Sequence, residues 1–186
     1  MGNNLVKRIT LDGILIAVFL VFSFFRIRVG NFMEIGFGSL IITLAAILLR
    51  PTDAIIIAFL GELVNQLFFT PYGITPTTAL WIFPVVVRAA ILSWVAYFFK
   101  KRKDDLTKHI ILYFATIMGT ALLISGLDTG LLYLDGLIMG YPVSYTLLQT
   151  GMRFLTSQIT AVIVALLALG IYKSANKLFD KGKQEI

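Results

Sequence analysis

The sequence has no cysteine, a single histidine and few charges, with 14% of its 186 residues Asp, Glu, Lys or Arg. Each shortage closes off a class of protein. Without cysteine there is neither a disulfide framework nor a thiolate metal site. His109 stands alone at the end of an apolar run, far from the acidic residues, and reads as an interfacial side chain rather than a ligand or base. No GxxxxGK[ST] phosphate loop occurs, so ATP cannot be hydrolysed by that route, and no HExxH or GxSxG sequence supports a hydrolase. No inverted repeat of the secondary-transporter kind is visible. Soluble domains are nearer half apolar and a quarter charged, whereas this chain is 58% hydrophobic with mean hydropathy +0.89. What remains is an all-α polytopic membrane protein, one domain over 1–186 with six transmembrane helices, not an enzyme, and with no cofactor or metal implied.

A bilayer core needs roughly 20 apolar residues as helix. The runs are 9–25, 36–49, 53–69, 77–99, 109–134 and 145–172. Because others follow it and no small-residue cleavage site does, the first reads as a span rather than a signal peptide. The second is short: either it is re-entrant, or GNFMEI (30–35) joins it and brings Glu34 to the outer interface. RPTD (50–53) separates spans two and three, since proline cannot continue a helix. Lysine and arginine set the orientation. Lys7, Arg8, Arg50, Lys100, Lys101, Arg102, Lys103, Lys108, Lys173, Lys177, Lys181 and Lys183 all fall on one side of an even six-span chain. Both termini are therefore expected in the cytoplasm, with the chain multi-pass in the cell membrane. KKRKDD (100–105) is an orienting loop, and no nucleic-acid partner is expected.

The charges left over are more informative. Arg26 and Arg28 lie in the first outer loop, Arg88 in span four and Arg153 in span six, while Glu62 and Asp128 are the acids well inside spans. Each such charge costs about 2.5–3.5 kcal/mol on insertion scales and faces a protein interior or cavity. At about 1.5 Å per residue, Glu62, Arg88, Asp128 and Arg153 lie about 10, 16, 9 and 12 Å below the outer ends of their spans. Faces agree as well as depths. Glu62, Asn65 and Gln66 share an i, i+3, i+4 face. Thr77, Trp81, Pro84 and Arg88 form one stripe, and Gln149, Arg153 and Ser157 another. A single stripe could be interhelical glue; three at similar depth, with two acids and two bases, point to a ligand pocket. TPYGITPTT (70–78) and DGLIMGYPVSY (135–145) are expected to cover it as loops, with Tyr141 and Tyr145 either stacking surfaces or members of an aromatic belt.

The small pair Gly13 and Ala17 in DGILIAVF, together with IGFGSLIITLAAILLRPTDAIIIAFLGELVNQLFF and GITPTTALWIFPVVVRAAI, carries a resemblance. Over nearly its whole length the chain resembles the substrate-specific (S) component of an energy-coupling factor (ECF) vitamin transporter. It is most similar to the hydroxymethylpyrimidine or pyridoxine branch. The resemblance implies that Gly13 and Ala17 dock on a membrane coupling subunit, with Gly where Ala is usual. Two cytoplasmic ATPase subunits would supply the energy, so the missing phosphate loop is expected. The vitamin site would use Glu62, Asn65, Gln66, Trp81, Arg88, Asp128, Gln149 and Arg153, with Arg26 and Glu34 from the outer loop. Balanced charge suits a neutral or weakly cationic ring stacked on Trp81. Arg26 and Arg28 instead suit the carboxylates of folate or pantothenate. A reading of another class is a stand-alone ion- or proton-coupled carrier with Glu62 and Asp128 as relays.

Overall fold

Proline, glycine and the spacing of apolar runs decide where each element begins and stops. A computed structural model of the chain describes residues 2–29, 33–69 and 74–184, with side chains over 5–25, 36–69 and 74–174. Helix α1 (Gly2–Phe24) leads into antiparallel strands β1 (Arg26–Val29) and β2 (Met33–Gly36), then α2 (Gly38–Leu48) and α3 (Pro51–Phe68). A 3-10 turn (Thr78–Trp81) runs into α4 (Ile82–Lys101), a second (Leu106–Lys108) precedes α5 (Ile110–Met139), and α6 (Val143–Gln184) follows. Arg50 is extended and Pro51 opens α3, where its missing N–H costs no bond and its fixed φ suits a helix. Gly140, at φ 74°, closes α5 in the left-handed region, which glycine enters without steric cost.

The all-α membrane architecture holds, with a short hairpin added to it. Four stretches, Pro51–Phe68, Thr78–Lys101, Ile110–Met139 and Val143–Ser174, are long and apolar enough to cross a membrane. Two expectations change. GNFMEI does not lengthen span two, because residues 33–36 pair with β1, Ile27 opposite Ile35 and Arg28 opposite Glu34. Alternation of apolar and polar residues in 26–29 and 33–36 fits strands better than another helical turn. Helix α2 therefore keeps 11 residues, about 16 Å of rise, well short of a bilayer core of about 30 Å. The second change is at DGLIMGYPVSY, which is mostly helical: α5 runs to Met139 and α6 starts at Val143. Nothing in DGLIM breaks a helix, so the connection shrinks to residues 140–142.

Nine of the eleven α2 residues are buried, and the helix is packed among α1, α3, α4 and α6. The core around it is rich in alanine, with Ala45, Ala54, Ala58, Ala89 and Ala165 fully covered, which lets backbones approach closely where lipid provides no hydrophobic drive. Outward faces are apolar and bare, Ile111 being 87% and Phe68 73% exposed, as suits a chain solvated by acyl tails. Several buried polar groups are satisfied internally. The Tyr113 hydroxyl donates across to the Ala165 carbonyl at 2.9 Å, and Thr43, Thr120 and Ser125 donate to the carbonyl four residues earlier.

The end carrying most of the basic residues is tied by two acid-centred knots. The Arg8 guanidinium grips both Asp53 oxygens, Nε lying 2.8 Å from each, and reaches Thr52 Oγ1 at 3.0 Å. Asp53 sits in the first turn of α3, where the helix dipole favours an anion. Between α4 and α5, Asp105 accepts from the Thr107 amide at 3.0 Å and from the Tyr172 hydroxyl. Burial pushes its carboxyl up, but these donors and Lys100 outweigh that and hold it below its ordinary value. Contrary to expectation, His109 is not remote from acids, because its Nε2 meets neighbouring Asp104 at 2.7 Å, which likewise lowers that carboxyl.

Candidate functional site

Glu62 is buried on α3, only 6% exposed, and is oriented from its own helix. Gln66 Nε2 donates to one of its oxygens at 2.7 Å and Asn65 Nδ2 lies 3.3 Å from both. The i+3, i+4 spacing thus does what it allows: two amides hold one carboxylate in place at membrane depth. Glu62 opens onto a cavity of 230 Å³ shared with Arg88 and Val85 of α4, Phe19 and Ser23 of α1, and Gly38 and Ser39 at the top of α2. Below it, a space of 40 Å³ is lined by Arg88, Ser39, Thr43, Thr120, Ser157 and Thr160, with apolar walls between them. Arg88 and Ser39 line both spaces and so stand between them. The lower space is large enough for a water, which needs about 10–15 Å³ of such volume, and the buried Ser157 hydroxyl has no hydrogen-bond partner among the described residues.

Four charges alternate through this region. Arg88 lies in the fields of Asp128 and Glu62, and Asp128 in those of Arg88 and Arg153. Arg153 stands over the Trp81 ring, 4.9 Å from its centre, a cation–π contact. Among the described residues no direct ion pair joins Asp128 to either arginine, so these groups act on one another through space. The base of the 70–78 segment is anchored: Thr77 Oγ1 donates to Asp135 Oδ1 on α5 at 2.5 Å, and the Thr75 amide donates to Thr78 Oγ1 at 2.7 Å. Residues 70–73 lie outside the described residues.

The structure thus brings Glu62 and Arg88 to one cavity, with Asn65 and Gln66 bonded to Glu62, and links Trp81, Arg153 and Asp128 by a cation–π contact and by charge. Gln149 is not brought in, since its Nε2 lies 3.3 Å from the Tyr145 hydroxyl on its own helix. The side chains of Arg26 and Glu34 lie outside the described residues; the backbone of Arg26 pairs with Gly36, which lines the cavity. Gly13 and Ala17 are exposed on α1, and a Cβ at Gly13 would meet nothing within 4 Å. Sequence reasoning missed Phe19, Ser23, Gly38 and Ser39. The glycines carried the available signal. A Cβ on Gly61 would lie 2.7 Å from the Phe19 ring and one on Gly38 2.8 Å from Ser23 Oγ, so α1 can seat against α2 and α3 only where glycine leaves room.

No curated protein matches this sequence. A solved structure described as the S component of a bacterial ECF transporter has the same fold, at TM-score 0.69 and 18% identity, covering 93% of this chain and 97% of that one. The family model described as "ECF-type riboflavin transporter, S component" matches residues 3–174, and describes a transporter component rather than an enzyme. With that match running from α1 to the membrane portion of α6, the chain belongs to the family of S components of ECF-type riboflavin transporters.

Proposed function

We propose that this S component captures an uncharged heteroaromatic vitamin, riboflavin foremost, from the outer side of the cell membrane. It hands the vitamin to a membrane coupling subunit driven by two cytoplasmic ATPase subunits, with both of its own termini on the cytoplasmic side. The observation that carries the ligand class is the string Glu62, Arg88, Asp128, Arg153, whose charges cancel in sequence. A neutral ring edge with donors and acceptors fits such a wall, the carboxylates accepting from ring N–H or hydroxyl groups and the guanidinium donating to carbonyls. A flavin offers both edges, and the family match favours it. The cavity favours a second, smaller ligand of the hydroxymethylpyrimidine or pyridoxine type, since 230 Å³ falls just below the usual range of about 300–1,000 Å³. Exposed Gly13 supports docking of the coupling subunit on the Gly13 and Ala17 face.

Calorimetry of the wild type and Glu62→Gln against riboflavin, hydroxymethylpyrimidine, pyridoxine, folate and pantothenate tests the ligand class. Micromolar or tighter binding of riboflavin or a one-ring vitamin, weakened in the variant because a charge-assisted bond becomes a neutral one, supports it. Tighter folate or pantothenate binding by Glu62→Gln, with no response to the neutral rings, overturns it in favour of an anionic vitamin. Energy coupling is separable: Gly13→Trp or Ala17→Trp should abolish uptake in cells while the isolated protein still binds. Uptake into vesicles lacking any ATPase would instead indicate a self-sufficient carrier.

A further inference from the structure

At the opposite end from the vitamin site, α1, the end of α2, the start of α3 and the end of α4 enclose a second, larger cavity of 720 Å³. Its rim carries Lys7, Arg8, Arg50, Lys100 and Lys101 against one acid, Asp53. Asp53 is already engaged by Arg8 and Lys100 also lies in the field of Asp105, which leaves Lys7, Arg50 and Lys101 with no acid lining the cavity to offset them. Lys100 is turned inward, its Nζ donating to the Leu48 carbonyl at 3.1 Å, which fixes its charge while leaving two further donors. The walls beneath are apolar, with Leu11, Leu48 and Tyr97 between 43% and 45% exposed. A cationic rim over an apolar trough, at the ends of membrane-spanning helices, has the polarity profile of one phospholipid: phosphate above, acyl chain below.

We propose that this cavity is a binding site for an anionic phospholipid of the adjacent leaflet, with its phosphate diester held by Lys7, Arg50, Lys100 and Lys101 and an acyl chain laid along Leu11, Leu48 and Tyr97. Charge complementarity selects an anionic headgroup over a zwitterionic one, because no anion other than the engaged Asp53 lines the site to receive a choline or ethanolamine cation. A protein partner is disfavoured by position on α1. Residues two apart on a helix differ by about 200°, so Leu11, which lines the cavity, and Gly13, on the proposed coupling face, point to opposite sides.

The test uses the whole chain in symmetric lipid nanodiscs, so it does not depend on which way the protein inserts. Discs of phosphatidylcholine alone are compared with discs also containing phosphatidylglycerol, and with phosphatidylcholine discs plus inorganic phosphate. Phosphatidylglycerol should raise the wild-type melting temperature by about 2–4 °C and survive as a bound lipid in native mass spectra, whereas inorganic phosphate should do neither. Arg50→Gln with Lys101→Gln should lose both effects. Arg102→Gln with Lys108→Gln, an equal charge change in the neighbouring connection, should keep them. Equal loss in both pairs, no effect of phosphatidylglycerol, or an equal shift from free phosphate would overturn the proposal. So would failure of the Arg50/Lys101 pair to assemble with the coupling module in neutral discs without any lipid effect, which would make the cavity a protein surface. Vitamin affinity in neutral discs should be the same for all variants, which separates this outcome from the ligand reading.

Discussion

Helix α3 carries a buried carboxylate near each end, and the two are used differently. Asp53 is clasped by a guanidinium from another helix, with two oxygens and Thr52 fully engaged. Glu62, nine residues on, is held by two amides of its own helix and faces a cavity. A carboxylate closed off by a cation from a different element fastens two helices. One aligned by amides of its own helix at the edge of a cavity presents its charge to that space. The same contrast separates the two regions: the Arg8 knot is a joint, and the Glu62 wall is the proposed receptor.

Breaking the joint should have the largest effect. Arg8→Ala leaves Asp53, which is 3% exposed, without its guanidinium partner and should give the largest drop in melting temperature of the variants considered. Thermal melts should fall while vitamin affinity by calorimetry stays unchanged. The receptor should show the reverse. Trp81→Ala should weaken a ring-shaped vitamin by about 1–3 kcal/mol, the range for aromatic stacking on a base, and lose only about 0.5–1 kcal/mol of stability from the freed Arg153. Smaller again is the coupling between Asp128 and Arg153. Because they interact through space, Asp128→Asn and Arg153→Ala should be non-additive in melting experiments by about 0.5 kcal/mol, the lower limit for coupled neighbours; strict additivity would show that the alternation of charge has no energetic content.

The smallest effect concerns pH at the connection between α4 and α5. Asp105 is held below its ordinary carboxylate value in the fold. A depressed carboxyl contributes stability that is present above its unfolded value, near pH 4, and is lost as pH falls through the folded one. Melting temperature should therefore decline below about pH 4, and Tyr172→Phe, which removes a donor to the carboxylate, should shallow that decline. An unchanged slope would remove Asp105 from the account.

What could be read from the sequence follows from how rare charge is in lipid. Glu62, Arg88, Asp128 and Arg153 stood out because each must be accommodated by protein, so depth alone located their common level. The amide pair of Glu62 followed from spacing on a single helix. Gln149 misled for a related reason. Steps of four residues advance about 400°, so a stripe of i, i+4, i+8 drifts about 40° per step. Arg153 reaches Trp81 and Ser157 the lower space, while Gln149 turns back to Tyr145. The hairpin at 26–36 was hidden because its length is set by pairing with itself, which a window of hydropathy does not sense. Phe19 was hidden because it is one of many apolar side chains in its run, and Ser23 and Ser39 because a hydroxyl in an apolar run commonly bonds its own backbone, as Ser23 does to the Phe19 carbonyl at 2.8 Å.

The shortness of α2 has a wider implication. In a bundle of helices that cross the membrane, a member that stops about 14 Å early leaves room the width of one helix, and the proposed vitamin cavity is lined by the end of that member, Gly38, Ser39 and Ile42, with Gly36 of β2 beside it. The chamber is thus moulded by chain length rather than carved by small side chains. Its walls can change chemistry, swapping a carboxylate for an amide or a serine for an alanine, without the chamber closing. Conversely, inserting a single helical turn ahead of Gly38 would stopper it while altering none of the residues that line it. A scaffold of this kind separates the existence of a site from its selectivity, so that one bundle can be refitted for different small molecules by repainting the lining alone.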